Sequence, residues 1–378
     1  MYRGHRYIDS DAHVLEPSNL WERYLDPRFK EFMPRHSVGY EGDGPSWYLE
    51  IDVCGHQMPN FGPTREMAAT LPGLKEAYQE YNERGFGPDA YPRVLERSGI
   101  DHMVVYPTVG LYVTGVPDLS ASVAAAYRRA YNDWLFDFCS EAGSGIIGAG
   151  AVDLRDPEEA AREVRRCVDN LGFKAITINP EPINEIPLHD PFYDPIWREC
   201  QALGVPVGVH VAAGTDHQQV GLDYFPDWWI GRPVTAFTVG CMLACLSFIA
   251  GGVCERHPEL RVVFLESGAG WVPFWLDRMA AGIAGHARKF GLPGLSMHPK
   301  EYWNRQCFIS ADPDAPGIEE VARQIGSESI VTATDFGHVE GMGYVHALDD
   351  ILGLPNVSDA VKREIMWDNP ARLYGISD

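Results

Sequence analysis

The chain has 378 residues, is 45% hydrophobic and 11% aromatic, and carries a formal net charge of -22 at pH 7. That composition supplies a large core and excludes a disordered chain, and the length suits an eight-fold α/β barrel with insertions. The acidic balance argues against nucleic acid, which needs a basic footprint, but permits an anionic small molecule wherever a metal ion reverses the local field.

In chain order, the first apolar step predicts a strand at Tyr7–Asp9 that runs into Ser10-Asp11-Ala12-His13-Val14-Leu15-Glu16-Pro17. Asp11 and His13 are two apart, so an extended strand points both to one face. A carboxylate and an imidazole at a strand's C-terminal end form half of a divalent-metal site, or else an Asp-rich turn. Residues 18–92 are too long for a first crossover. Their alternating stretch Trp47-Tyr48-Leu49-Glu50-Ile51-Asp52-Val53 predicts an inserted hairpin, part of a lid over a barrel mouth.

Further strands are predicted at His102–Tyr106, Ile146–Val152, Ala175–Ile178, Val205–His210, Val262–Leu265, Cys307–Ser310 and Ile330–Ala333. Between them lie helical patterns at Pro157–Asn170, Asp190–Leu203, Ala236–His257 and Pro273–Phe290. Eight strands alternating with helices favour a closed parallel barrel over a doubly wound sheet. No glycine-rich phosphate turn follows the first strand, which argues against a dinucleotide fold. The reading is one domain over 1–378, with 18–92 as lid or insertion.

No apolar run is long enough to span a membrane, and the start lacks the apolar stretch of a signal peptide. Eight scattered cysteines without a Cys-x-x-Cys pair predict reduced thiols, no structural zinc and a cytoplasmic protein. The loop after the fifth strand, Asp223-Tyr224-Phe225-Pro226-Asp227-Trp228-Trp229, is rich in aromatics. Trp228 and Trp229, with Trp271, are predicted to shape a pocket for a partly hydrophobic small-molecule substrate; core or dimer packing is the alternative.

In such a barrel the active site lies at the C-terminal ends of the strands. His210 ends the fifth strand, Glu266 the sixth and Asp335 the eighth, with His338 three residues on. Singly, each has an ordinary reading, a core histidine or a helix cap. Together with Asp11 and His13 they put acids and imidazoles at four strand ends, where like charges repel unless a cation neutralises them. The predicted ligands are Asp11, His13, His210 and Asp335, with Glu266 and Glu16 as further candidates, Glu16 alternatively a cap. Seven such groups suit one or two divalent ions, with zinc, manganese or iron as the candidates. Lys174 heads the fourth strand, at the opposite end from these groups, and is not counted among them.

The Asp-x-His-x-x-Glu-Pro start, the Val-His of the fifth strand, the Leu-Glu-Ser-Gly-Ala-Gly-Trp-Val-Pro turn and the Thr-Asp-Phe-Gly-His segment together resemble the amidohydrolase-related metal-dependent hydrolases. That branch includes aminocarboxymuconate-semialdehyde and resorcylate decarboxylases. The closing Asn369-Pro370-Ala371-Arg372-Leu373-Tyr374-Gly375 is similar to the family's terminal segment. The resemblance covers nearly the whole chain. It implies a distorted (β/α)8 TIM barrel, a divalent metal and commonly a homodimer. It places the first-strand metal pair on Asp11 and His13, where many members have His or Glu for the former, and further ligands on His210 and Asp335. Family decarboxylases carry an acid–base His at the end of the sixth strand, where this chain has Glu266.

Two chemistries follow from these groups. In the first, a metal-dependent enzyme acts on a small, carboxylated substrate by metal-activated water or by non-oxidative decarboxylation, with Glu266, Asp335 and His338 as catalytic residues. The alternative is a dinuclear non-heme iron monooxygenase on the same barrel, motivated by the surplus ligands. A binding protein with a relict site is a third, non-enzymatic reading.

Overall fold

Eight short runs of aliphatic and β-branched residues, buried on both faces, form one parallel sheet that curves almost to closure. The computed structural model describes residues 2–40, 47–58, 74–116, 118–212, 225, 231–290, 295–315, 317–338 and 340–377. The barrel strands are β1 (Ile8–His13), β5 (His102–Tyr106), β6 (Ile146–Ala151), β7 (Ala175–Ile178), β8 (Val207–Val209), β9 (Val262–Phe264), β10 (Cys307–Ala311) and β11 (Ile330–Thr332), in that spatial order. Every neighbouring pair is parallel. All eight predicted strands are present, with ends shifted by a few residues.

The seam between β1 and β11 is bridged by the segment after β11. The Asp335 amide donates to Asp11 O at 2.9 Å, and the His13 amide to Phe336 O at 2.7 Å. Inward-facing side chains fill the barrel, among them Ile8, Val104, Tyr106, Val263, Leu265 and Val331, over a floor of Trp367, Leu373 and Tyr374. Val104 with Tyr106, and Val263 with Leu265, show the period of two that sends alternate residues inside. Each fully buried aliphatic residue contributes about 1.5–3 kcal/mol.

Local signals set the helices. Pro157–Asp169 starts where Asp156 accepts from the Glu159 amide at 3.0 Å, with Pro in the first turn. The helix expected at 236–257 is two, Gly231–Ile249 and Val253–Arg256. Gly251 and Gly252 break it: Gly252 has φ +82, and a side chain on Gly251 would strike His189. The helix expected from residue 190 begins instead as a 3-10 turn, Pro191–Tyr193, followed by Asp194–Leu203.

The long first crossover carries an antiparallel sheet of β2 (Arg35–Tyr40), β3 (Trp47–Val53) and β4 (His56–Met58), which contains the predicted hairpin strand. Trp21 Nε1 donates to His36 Nδ1 at 2.9 Å, and His36 Nε2 lies 3.0 Å from Glu16 O, tying this sheet to the end of β1. Among the described residues no helix is long and apolar enough to cross a membrane.

Candidate metal centre and active site

β1 does not run straight into the site. Its pairing with β5 goes from Asp9 opposite Met103 to Ala12 opposite Val105, so one extra residue is accommodated between them. Such a bulge re-aims the side chains that follow it. Asp11 and His13 emerge buried, and His210 joins them from the end of β8, where its amide donates to Ile178 O at 2.9 Å. Glu266 follows β9 and Asp335 follows β11, both with left-handed backbones (φ +50 and +54). Non-glycine residues rarely occupy that region, and where they do, strain is often held at a functional site.

Asp11, His13 and His210 converge tightly. The two Nε2 atoms are 3.1 Å apart. Asp11 Oδ1 lies 3.6 Å from His13 Nε2 and 3.4 Å from His210 Nε2, and Asp335 Oδ1 lies 3.2 Å from His13 Nε2. Ligands at about 2.0–2.2 Å from one divalent ion stand roughly 3–3.5 Å from each other, which these separations match. A second group of His13, Glu266 and His338 also brings its ligand atoms within 4.8 Å of one another. Glu266 Oε2 is 3.9 Å from His210 Nε2.

The donor chemistry of the site also fits a cation. His13 Nδ1 is 3.0 Å from Pro107 O and His210 Nδ1 is 2.8 Å from Val211 O. Carbonyl oxygens only accept, so each Nδ1 carries its proton and the two facing Nε2 atoms are both acceptors. Two acceptors at 3.1 Å repel unless a cation lies against them. Asp11 Oδ1 and both carboxylate oxygens of Asp335 are buried without a hydrogen-bond partner, an arrangement that costs several kcal/mol unless compensated. Burial, reinforced by the neighbouring His338, pushes the His13 pKa down to about 4, so the ring is a neutral, ligand-competent imidazole near pH 7. Burial opposes ionisation of Asp335, but His338 and His13 outweigh it and hold the carboxyl well below its usual range.

The remaining predicted residues lie elsewhere or in other roles. Glu16 accepts hydrogen bonds from the Thr108, Val109 and Gly110 amides at 3.2, 2.9 and 2.9 Å. It belongs to neither ligand group and holds the turn after β5 instead. Trp271 is buried between Phe264 and Trp303, at ring distances of 6.1 and 6.2 Å. Trp228 and Trp229 lie outside the described residues.

Several contributors were missed in the sequence. Asp9 is buried and accepts from the Thr334 amide and hydroxyl. Thr108 Oγ1 touches His338 Nε2 at 3.0 Å. From the first crossover, Tyr78 donates to His338 O at 2.8 Å and Tyr91 to His13 O at 2.6 Å. Thr108 stands just past a barrel strand end, the signal that could have found it.

Comparison with known proteins agrees with this picture. The family model described as Amidohydrolase matches residues 8–376. The chain is 27% identical over 304 residues to 2-amino-3-carboxymuconate-6-semialdehyde decarboxylase of Dictyostelium discoideum, covering 79% of each. It is 29% identical over 295 residues to gamma-resorcylate decarboxylase of Rhizobium sp. (strain MTP-10005), covering 76% of this chain and 86% of that one. In fold it is similar to 5-carboxyvanillate decarboxylase from Novosphingobium aromaticivorans, solved with manganese and a nitrobenzoic acid. That match has a TM-score of 0.73 at 19% identity and covers 99% and 97% of the two chains.

Proposed function

Since the chain belongs to the amidohydrolase family, we propose that it is a divalent-metal-dependent decarboxylase of small carboxylated aromatic or muconate-like acids. The observation that carries this reading is the pair of acceptor Nε2 atoms on His13 and His210, 3.1 Å apart beside the unpartnered oxygens of Asp11 and Asp335. These four residues would hold a divalent ion, and manganese or zinc would suit their mixed nitrogen and oxygen donors. Bound there, it would supply a positive anchor for the substrate's oxygens.

The chain's own residues then manage one proton. Decarboxylation breaks the bond between the carboxylate and the carbon that bears it; the electron pair stays on that carbon, which takes a proton as CO2 departs. Glu266, partly exposed at the end of β9 and 3.9 Å from His210 Nε2, is the acid placed to deliver it. Asp335, held as a carboxylate by His338 and His13, is placed to orient a substrate hydroxyl. The first-crossover helices Leu74–Glu83 and Tyr91–Ser98 back this mouth, because Tyr78 and Tyr91 donate to the backbone carbonyls of His338 and His13.

The relatives above are decarboxylases, and the non-heme diiron oxygenase alternative finds no support among them. The test is to incubate manganese-loaded protein with ortho-hydroxybenzoic and carboxymuconate-type acids under nitrogen, following CO2 release and the decarboxylated product. Turnover without oxygen supports the reading. No turnover of any such acid, or turnover only with oxygen and a reductant, overturns it.

A further inference from the structure

Along β9 the side chains alternate between the barrel interior and the surrounding helices. Val263 and Leu265 belong to the interior cluster. Phe264 points the other way and packs against Phe248 and Trp303 of the outer helices. Continued extended backbone would turn residue 266 outward with Phe264, away from the mouth. Glu266 instead has φ +50, followed by Gly268 at φ +66, and its Oε2 comes within 3.9 Å of His210 Nε2. A non-glycine residue does not favour that backbone, so the turn is held by its surroundings.

Three side chains from neighbouring elements hold it, one at each of three consecutive residues. The Glu266 amide donates to Ser310 Oγ at 3.1 Å. Thr238 Oγ1 donates to Ser267 O at 3.1 Å. The Cys241 thiol, a weak donor, lies 3.7 Å from Leu265 O and 3.9 Å from Val209 O, the carbonyls just before Glu266 and His210. Thr238 and Cys241 are three apart on the helix Gly231–Ile249, so both look toward the same turn.

Ser310 is the contact made to Glu266 itself. On β10, Phe308 faces the interior and Ile309 the helices, so the period of two turns Ser310 inward, where it is buried. The Leu265 amide still bonds to the β8 backbone, at Val209 O and 3.1 Å. One residue later the chain leaves the sheet, and a hydroxyl on β10 receives the next amide.

We infer that Ser310 is a positioning residue: by accepting the Glu266 amide it holds that residue in its left-handed turn and keeps the carboxyl group at the mouth. This rests on the reading of Glu266 as the proton donor above.

The experiment compares wild type with Ser310→Ala and Ser310→Thr, each alone and on a Glu266→Gln background. All are loaded with manganese and assayed for CO2 release with the ortho-hydroxybenzoic and carboxymuconate-type acids above. Ser310→Ala is expected to keep its metal, since Asp11, His13, His210 and Asp335 stand on other turns. Its kcat falls roughly 10–100-fold with KM little changed, the scale of a misplaced catalytic group. Ser310→Thr retains the hydroxyl and recovers most of that rate. On the Glu266→Gln background Ser310→Ala costs little more, because residues that act through one another are not additive. An unchanged kcat in Ser310→Ala, an equal loss in Ser310→Thr, or full additivity with Glu266→Gln overturns the inference. Ser310→Cys, of similar size and a poorer acceptor, carries the same expectations and covers the case in which Ser310→Ala does not fold. Amide hydrogen exchange needs no substrate: peptides covering 264–268 should exchange faster in Ser310→Ala than in wild type, and equal rates overturn the inference. A wild type that turns over no acid, or a Glu266→Gln variant with full rate, overturns the reading of the reaction instead. The exchange result then decides whether Ser310 holds the turn.

Discussion

Asp9 and Thr334 are 325 residues apart in the chain and are joined by two hydrogen bonds, the Thr334 amide to Oδ1 at 2.9 Å and its hydroxyl to Oδ2 at 2.5 Å. This stitch closes the barrel seam one residue before Asp335, so the same contact that completes the fold sets the position of a proposed ligand. Burial pushes the Asp9 pKa up to about 7 even against those donors. Asp9→Ala leaves the buried Thr334 amide and hydroxyl without an acceptor, an expected loss of about 2–4 kcal/mol from the unmade bonds and the cavity. Urea denaturation at pH 7 measures it, and a midpoint equal to wild type would refute the role. Asp9→Asn, which keeps one acceptor, falls between the two.

The ion itself is the second test. Chelation followed by gel filtration is expected to give a folded protein that melts lower and regains its melting point with manganese or zinc. At a hundred times Kd, binding adds about 2.7 kcal/mol of stability. His210→Ala and Asp335→Asn should each lower the metal content of purified protein and abolish the ligand-induced shift. Retention of a full equivalent by His210→Ala would remove the central triad from consideration.

Much of this was legible in the residues. The barrel strands stand out because each is a short apolar run between polar turns, and Asp11, His13, His210, Glu266 and Asp335 stand out because they end such runs. What was not legible depends on contacts distant in sequence. Thr108 meets His338 across 230 positions, and its place just past a strand end is the one signal Tyr106-Pro107-Thr108 offers, without saying which side chain it meets. Glu16 reads as a cap or, less favoured, a ligand in the sequence, and only the fold brings the three amides of Thr108, Val109 and Gly110 onto it. The helix break at Gly251-Gly252 was masked by an apolar pattern that runs on past it, although the paired glycines mark the spot.

Gly337 lies between Phe336 and His338 with φ +106, and a Cβ there would approach His13 O to 2.9 Å. Two penalties coincide, the left-handed backbone and the contact with the carbonyl of His13, a proposed ligand. Gly337→Ala is expected to cost about 1–3 kcal/mol and to weaken metal binding by shifting His13. Calorimetric metal titration of the variant checks this; an affinity equal to wild type would show that the loop yields without disturbing the ligand.

His36 gives the fold a defined response to acid. Its Nδ1 accepts from Trp21 Nε1, and its Nε2 lies against Glu16 O, so the folded ring is neutral with its proton on Nε2. Burial lowers its pKa from the ordinary 6.5. Below that value the unfolded chain binds a proton the native state refuses, so stability falls as pH drops. Protonation of Nδ1 would also remove the acceptor for Trp21. Stability measured between pH 7 and 5 should decline more steeply in wild type than in His36→Gln, and equal slopes would assign the acid sensitivity to other groups.

By the resemblance drawn from the sequence, Glu266 takes the place of an acid–base histidine, and its substitution separates proton transfer from metal binding. Glu266→Gln keeps the size and the hydrogen-bonding amide but cannot release a proton. Its turnover should fall about 10²–10⁴-fold, the usual contribution of a positioned acid or base, while its metal content is preserved. Glu266→His restores a transferable proton. Its left-handed backbone, φ +50, also suits histidine, which is enriched there. The His variant should therefore recover a large part of the lost rate and move the pH optimum toward the imidazole range. If both variants lose metal together with activity, Glu266 is a ligand, and the proton must come from another group at the mouth, such as His338, or from solvent. If the Gln variant keeps both metal and rate, Glu266 has no part in the chemistry.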